Sequence, residues 1–383
     1  MMNAREIILD DDEIPLNTKE IMVDNGYLMM DNNIIYYFHW RCANIIVDNI
    51  KNNRKLESIM LYKYNIAYLQ HILNHNIAKY IKIRRLVLNS IDGFGDDQVK
   101  LLCSILKRNN TVTELELSND NLTCNSALIL SELLKHKLNI ISLNVSNNNI
   151  SNKGLYYLIR DIYHIKVLIL DNNKIGTKPL FSLFPSMRIS NFMNIQHITH
   201  LSLCNNNIDD KDAKVLCQNL YKSKISSLKL RFNKLTIKSL PNIANLLDNR
   251  NLTELDVSYN NFDYEGSCFV TEYSILVTAI ASNNTLTNLY MDHCRISSQD
   301  INFFLTSLWC NKTLTKLTME SDIGYSGMQT SLITMYMNRN NMLLRKYQST
   351  LIGRCYLMVK KYLNNRQIVK YVGFDPLINI LLR

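Results

Sequence analysis

The stretch Ile140-Ile141-Ser142-Leu143-Asn144-Val145-Ser146-Asn147-Asn148-Asn149-Ile150 decides the fold. It sets apolar residues at Ile140, Leu143, Val145 and Ile150 and an asparagine at Asn148. The same spacing returns at Ile165, Leu168, Leu170, Asn173, Ile175; at Ile198, Leu201, Leu203, Asn206, Ile208; at Ile225, Leu228, Leu230, Asn233, Leu235; and at Leu252, Leu255, Val257, Asn260, Phe262. Weaker copies start upstream at Leu56, Ile83 and Val112 and downstream at Leu286 and Leu314. Inside each copy apolar and polar residues alternate, the two-residue period of a half-buried strand. Leu143 and Val145 are therefore expected in the core, with Ser142, Asn144 and Ser146 facing outward.

The ten starts, at 56, 83, 112, 140, 165, 198, 225, 252, 286 and 314, are mostly 27 to 29 residues apart. A period near 28 leaves room for a true helix after each strand. The spacing predicts helices over Ser126 to Lys135, with Leu128, Leu130, Leu133 and Leu134, and over Asp212 to Tyr221, with Val215, Leu216 and Leu220. Their three-and-four spacing makes one apolar stripe to lay against the strands.

The asparagine has a physical reason. Where the chain bends out of the strand it leaves inward-facing backbone groups without partners, and a side-chain amide both donates and accepts. Asn148, Asn173, Asn206, Asn233 and Asn260 can stack into a column that satisfies them. Cys294 takes the same slot with a weak S–H donor, and Asp120 and Asp322 read as array ends or a local change of geometry.

Pattern, period and turns together resemble the ribonuclease-inhibitor-like subfamily of leucine-rich repeat proteins. The turns ahead of several strands add to the likeness: Asn109-Asn110-Thr111-Val112-Thr113, Asn251-Leu252-Thr253, Asn283-Asn284-Thr285-Leu286-Thr287 and Asn311-Lys312-Thr313-Leu314-Thr315. The resemblance implies an α/β solenoid, a horseshoe with a parallel concave β-sheet, convex helices and about ten repeats between helical caps. The organisation expected is an N-terminal cap over 1–55, the solenoid over 56–340 and a basic helical cap over 341–383. Each repeat of a solenoid contacts only its neighbours, so the terminal ones need covering.

Cap helices are expected over Asn33 to Lys51 and Ser349 to Asn364. Residues 1–31 hold eight acids against two bases, and residues 339–383 nine bases against one acid. Arg354, Lys360, Lys361, Arg366 and Lys370 read as the solvated face of the cap; the alternative, a contact with an acidic membrane or nucleic acid, fits less well because the bases are interspersed with apolar residues. Met1 to Asp12 is too acidic for a signal peptide, and no run of 18 apolar residues spans a membrane. Nine scattered cysteines without a Cys-x-x-Cys pair point to reduced thiols in the cytoplasm. The Asn-x-Thr sequences are taken as turn chemistry rather than glycan acceptors. The abundance of Asn, Ile, Lys and Tyr suggests an AT-rich genome, such as that of an intracellular bacterium, a protist or a large DNA virus; delivery into a host cytoplasm is then a further option.

No Gly-rich phosphate loop, His-Glu-x-x-His, Gly-x-Ser-x-Gly or metal-ligand cysteine spacing occurs, so no catalytic, cofactor or metal site is expected. His293-Cys294 is the nearest approach to a reactive pair, but neighbouring strand residues face opposite ways. What remains is the concave sheet, with Ser58, Met60, Arg85, Val87, Glu114 and Glu116 at its start. Neither charge sign dominates it, which suits a protein partner better than a nucleic acid. Lys229 and Arg231 beside Glu254 and Asp256 can neutralise each other across strands. The candidate partner-binding residues are Val167, Ile169, His200, Lys229, Arg231, Phe232, Tyr259, Tyr290 and His293. The reading is a monomeric, non-enzymatic scaffold for a protein partner, with a host protein as one option and no small-molecule substrate. A GTPase-activating regulator similar to the Ran-activating proteins, which share this repeat class, is the second reading. The acidic tail of that family is replaced here by a basic one, and none of its catalytic residues carries across. The insertions Arg188 to Gln196 and Tyr264 to Tyr273 could be spacers or binding loops.

Overall fold

Each of the ten copies of the pattern forms a strand in the computed structural model, which describes residues 19–24, 27–30, 34–37, 41–63, 66–74, 82–176, 195–263, 271–320 and 327–363. The strands are β4 (Ser58–Tyr62), β5 (Arg85–Asn89), β6 (Glu114–Ser118), β7 (Ser142–Asn144), β8 (Val167–Ile169), β9 (His200–Ser202), β10 (Ser227–Lys229), β11 (Glu254–Asp256), β12 (Asn288–Tyr290) and β13 (Lys316–Thr318). Three precede them: β1 (Glu20–Asp24), β2 (Tyr27–Met30) and β3 (Ile34–Tyr37). Among the described residues all thirteen join one open sheet, in which β4 to β13 lie in chain order and β1 follows beside β4. Pairing is parallel between β1 and β4 and from β4 through β13, and the central Leu or Ile of every copy stays in register with the next, as Leu143 does with Leu115 and Leu168.

Helices return the chain on the other side: α1 (Arg41–Asn52), α2 (Ile66–Asn74), α3 (Asp96–Leu106), α4 (Cys124–His136), α5 (Ser151–Asp161), α6 (Asp210–Leu220), α7 (Leu240–Leu246), α8 (Thr271–Ser282), α9 (Ser298–Cys310) and α10 (Gly327–Leu363). Both helices predicted from the apolar stripe are present as α4 and α6. Thr123 and Asp209 cap them, their side chains accepting the N–H of Asn125 and of Lys211 and Asp212. Between strands and helices runs one continuous apolar core from Ile21 to Met337. This is the leucine-rich repeat horseshoe.

Three expectations need correction. The N-terminal cap is not one helix over Asn33 to Lys51: the β-branched and aromatic run Ile34-Ile35-Tyr36-Tyr37 pairs antiparallel with β2, and α1 begins only at Arg41. β1 adds a further parallel strand ahead of the ten, with Ile21 and Val23 aligned on Ile59 and Leu61. At the other end no separate cap helix starts near Ser349, because α10 runs unbroken from Gly327 to Leu363 across the expected boundary at 340. That stretch has no proline, and its lone interior glycine, Gly353, costs only about 1 kcal/mol. Finally, the early concave face is less open than expected. Ser58, Met60 and Val87 are buried, Val87 wholly, since it stands in register between Met60 and Glu116, and Ser146 is buried where its hydroxyl donates to Asn144 Oδ1. Met1 to Asp12, Asp322, Arg366, Lys370 and most of the two insertions lie outside the described residues.

The Asn-x-Thr turns form a ladder of their own. Asn283 Oδ1 accepts the N–H groups of Thr285 and Leu286, and Asn311 Oδ1 those of Thr313 and Leu314. Asn311 Nδ2 reaches back to the carbonyls of Ile280 and Asn283 in the previous repeat. On α10, which follows β13, two side chains continue this pattern: Asn340 Nδ2 donates to the carbonyls of Asn311 and Leu314, and the Arg339 guanidinium to those of Leu308, Trp309 and Asn311.

Candidate functional site: an aromatic row at the rim of the sheet

The site is built on the bend by which the chain leaves each strand. Asn148 shows the unit. Its Oδ1 accepts the N–H groups of Asp120 and Leu122 at 3.0 and 2.9 Å, and its Nδ2 donates to the carbonyls of Leu117, Val145 and Ser146 at 2.8 to 3.0 Å. Asn173, Asn206, Asn233 and Asn260 repeat this arrangement one repeat at a time. Cys294 holds the slot with a thiol 3.2 Å from the carbonyl of Val257, and burial pushes that thiol up to about 12. A thiol so held is no nucleophile at neutral pH.

The bend demands a left-handed backbone just before each column residue. Lys63, Ser90, Asn119, Asn147, Asn172, Asn205, Phe232, Tyr259 and His293 all have φ between 48° and 63°. Asparagine tolerates this region through its short polar side chain, whereas a bulky residue is strained in it. The row thus reads polar through Asn205 and then Phe, Tyr and His in three consecutive repeats.

Stacking brings those three together. The Phe232 and Tyr259 ring centroids are 4.1 Å apart at 28°, and those of Tyr259 and His293 are 4.5 Å apart at 33°. The Arg231 guanidinium carbon lies 5.1 Å from the Phe232 centroid and 4.5 Å from that of Tyr259, so it sits beside the pair rather than beyond either end. Phe232 remains 44% exposed. One row into the concave face, Lys316 Nζ lies 4.9 Å over the Tyr290 ring. Lys229 is neutralised by Glu254 at 3.4 Å, the cross-strand pair foreseen from the sequence. Arg231 and Asp256 do not pair; Asp256 instead accepts the N–H of Ser258, and Arg231 turns to the rings.

The nine candidate residues therefore separate. Val167, Ile169, His200, Lys229 and Tyr290 stand on strands and face the concave side, as expected; Val167 and Ile169 are half-buried, and His200 is exposed with its Nδ1 2.9 Å from Thr199 Oγ1. Arg231, Phe232, Tyr259 and His293 do not lie on the concave sheet. Their strands are only three residues long, and the bend carries these four to the rim, where they form one cluster. Asn205, which ends the polar part of the row, was not singled out, though reading the residue before each column asparagine would have shown the change from Asn to aromatic. Earlier along the sheet Arg85 bridges Glu114 at 3.8 Å and Glu116 at 3.7 Å. Among the described residues no group of three or more His, Cys, Asp or Glu side chains is placed to hold a metal ion, and no helix is long and apolar enough to cross a membrane.

Known proteins carry the same repeat. A leucine-rich repeat model matches residues 136–158, 194–217 and 248–266. The chain is 24% identical over 355 residues to the mouse NACHT, LRR and PYD domains-containing protein 4C, covering 82% of this chain and 34% of that protein. It is 26% identical over 248 residues to mouse ribonuclease inhibitor, covering 62% and 52%. The chain thus spans about a quarter to a third of the length of the NACHT-containing relatives it matches. Among solved structures, an internalin from Listeria monocytogenes aligns over 75% of this chain and 81% of its own with 16% identity and a TM-score of 0.39. The TLR13–ssRNA13 complex aligns over 74% and 43% with 18% identity and a TM-score of 0.43. With the repeat model matched, a strand and helix in each period of about 28 residues and the asparagine column in place, the chain is a leucine-rich repeat protein of the ribonuclease-inhibitor-like kind.

Proposed function

We propose that the chain is a non-enzymatic protein-interaction scaffold whose partner docks on the rim formed by Arg231, Phe232, Tyr259 and His293 and on the adjoining concave strands β8 to β12. One observation carries this reading: three consecutive repeats place an aromatic ring where the backbone favours asparagine. Holding a bulky residue there costs on the order of 1–3 kcal/mol, of which ring stacking returns about 0.5–1.5 kcal/mol per pair. Side chains kept against the local backbone preference are expected at a contact surface, and aromatics with arginine are the usual anchors of one. The repeats on either side fix the row in advance, which lowers the ordering cost of binding. A cytoplasmic setting, with a host protein as the partner, fits the cysteine usage and the composition.

The test uses a variant that the rest of the molecule already validates: Phe232→Asn, Tyr259→Asn and His293→Asn together, the residue that four other repeats carry at this place. Wild type and variant are used for affinity capture, with circular dichroism checking both folds. A photo-cross-linking residue at Tyr259 then marks what touches the row. A protein captured by wild type, cross-linked through position 259 and lost by the folded variant supports the reading; if that protein is a small GTPase, the regulator reading is selected. Equal capture by both removes the rim from the function.

A further inference from the structure

Among the described residues the buried column has one acidic member. Asp120 stands where Asn148 and its successors stand, between Ile91 in the repeat before and Asn148 in the repeat after. Its Oδ1 accepts the N–H of Ile91 at 2.8 Å, and its own N–H is taken by Asn148 Oδ1 at 3.0 Å. The residue is 0% exposed, and its Oδ2 has no hydrogen-bond partner. This oxygen occupies the place of the amide nitrogen of the other units. There Asn148 Nδ2 meets the carbonyl of the preceding strand and two of its own turn. In the register of the repeat, the groups equivalent to those that Asn148 Nδ2 meets are the carbonyls of Leu88, Leu117 and Ser118, which are acceptors only. A carboxylate would set lone pairs against lone pairs in a site closed to water, whereas a carboxylic acid supplies the missing donor.

We propose that Asp120 is carried in the folded protein as a carboxylic acid, donating its O–H into the column, and that its ionisation makes the junction of β5 and β6 a pH-responsive weak point in the solenoid. Burial is the leading force on this group and lifts it from 3.8 to about 7, with the negative charge of Glu116 adding to the rise and only the Ile91 N–H opposing it. On its two flanks in the column it meets the neutral Ile91 and Asn148, and Glu116 on β6 is itself 3.7 Å from Arg85 on β5. The sign follows from the proton count. The folded state holds the proton in the window between 3.8 and about 7 while the unfolded chain has released it, so stability falls as pH rises through that window, and the loss is complete above it.

Two measurements test this on the full chain. The side-chain carboxyl carbon of Asp120, followed by NMR in the wild-type protein, should titrate near neutrality; a midpoint below about 5 overturns the proposal. Thermal unfolding of Asp120→Asn should lie above wild type by about 3 °C at pH 8, with the gap narrowed to less than half at pH 5. A gap that is constant with pH, or a variant less stable than wild type at pH 8, overturns it equally. Glu116→Gln should move the carboxyl midpoint down without abolishing the neutral-range titration, because burial and not the neighbouring charge is the main cause.

Discussion

The left-handed position before each column residue is filled in two ways along the same solenoid. In the N-terminal half it is polar, and neighbouring repeats are tied by hydrogen bonds there: Asn119 Nδ2 donates to Ser90 Oγ at 2.6 Å and Asn172 Nδ2 to Asn147 Oδ1 at 3.0 Å. In the C-terminal half the rings of Phe232, Tyr259 and His293 stack instead. The backbone is the same in both halves, with φ near 50° to 60° throughout. What differs is only what the side chain offers to the outside. The fold demands a tolerant residue at the bend, and Phe232, Tyr259 and His293 depart from it in three consecutive repeats.

Four substitutions break or sharpen that comparison. The largest effect belongs to the buried asparagine column, which runs through both halves from Asn148 to Asn260. Asn206→Leu removes an amide that accepts from Asn173 and Ile175 and donates to the carbonyls of Leu170, Leu203 and Cys204. It should cost about 3 kcal/mol or more in denaturant unfolding, and a loss below about 1 kcal/mol would mean that the bends do not depend on the column. Next comes the polar half of the row: Asn172→Tyr forces a ring into a backbone at φ 52° and deletes the bond to Asn147. The expected destabilisation is about 1–2 kcal/mol, against a change within about 1 kcal/mol for Tyr259→Asn in the aromatic half. If the two exchanges cost the same, the row has no preference and the aromatics lose their significance. The smallest effect is expected at the concave pair, where Lys229→Met gives up a half-exposed contact with Glu254 and should change stability by less than about 0.5 kcal/mol. A larger, salt-sensitive loss would move attention from the rim to the cross-strand charges.

Much of this architecture could be read from the pattern, because a column that must satisfy backbone groups in every repeat leaves the same letter in every repeat. Asn148 through Asn260 announced both the bends and their chemistry. Two kinds of feature escaped. Ile21 and Val23 form an eleventh parallel strand with Gly26 in place of the column asparagine, so the spacing that finds the others passes over them. The strand β3 was hidden inside a segment whose apolar residues also suit a helix, since short apolar runs do not separate the two periods. For the site, Phe232, Tyr259 and His293 stood out as aromatics, but alternation alone placed them on the sheet. Their removal to the rim depends on strands ending after three residues, a length set by the backbone conformation at the bend rather than by hydrophobicity. The buried acid at position 120 was visible as an exception to the column, yet it lies inside the array, with β1, β4 and β5 still beyond it, and does not mark an end.

The way α10 closes the array bears on how such a chain can change its length. Asn340 and Arg339 address main-chain carbonyls of the last turn, at Leu308, Trp309, Asn311 and Leu314, and so read a backbone shape that recurs at Asn283 and Asn311 alike. A cap of that kind recognises the generic unit and not its particular side chains. Duplication or loss of a whole repeat upstream of it would present α10 with an equivalent surface, leaving its contacts intact while the rim lengthens or shortens by one position.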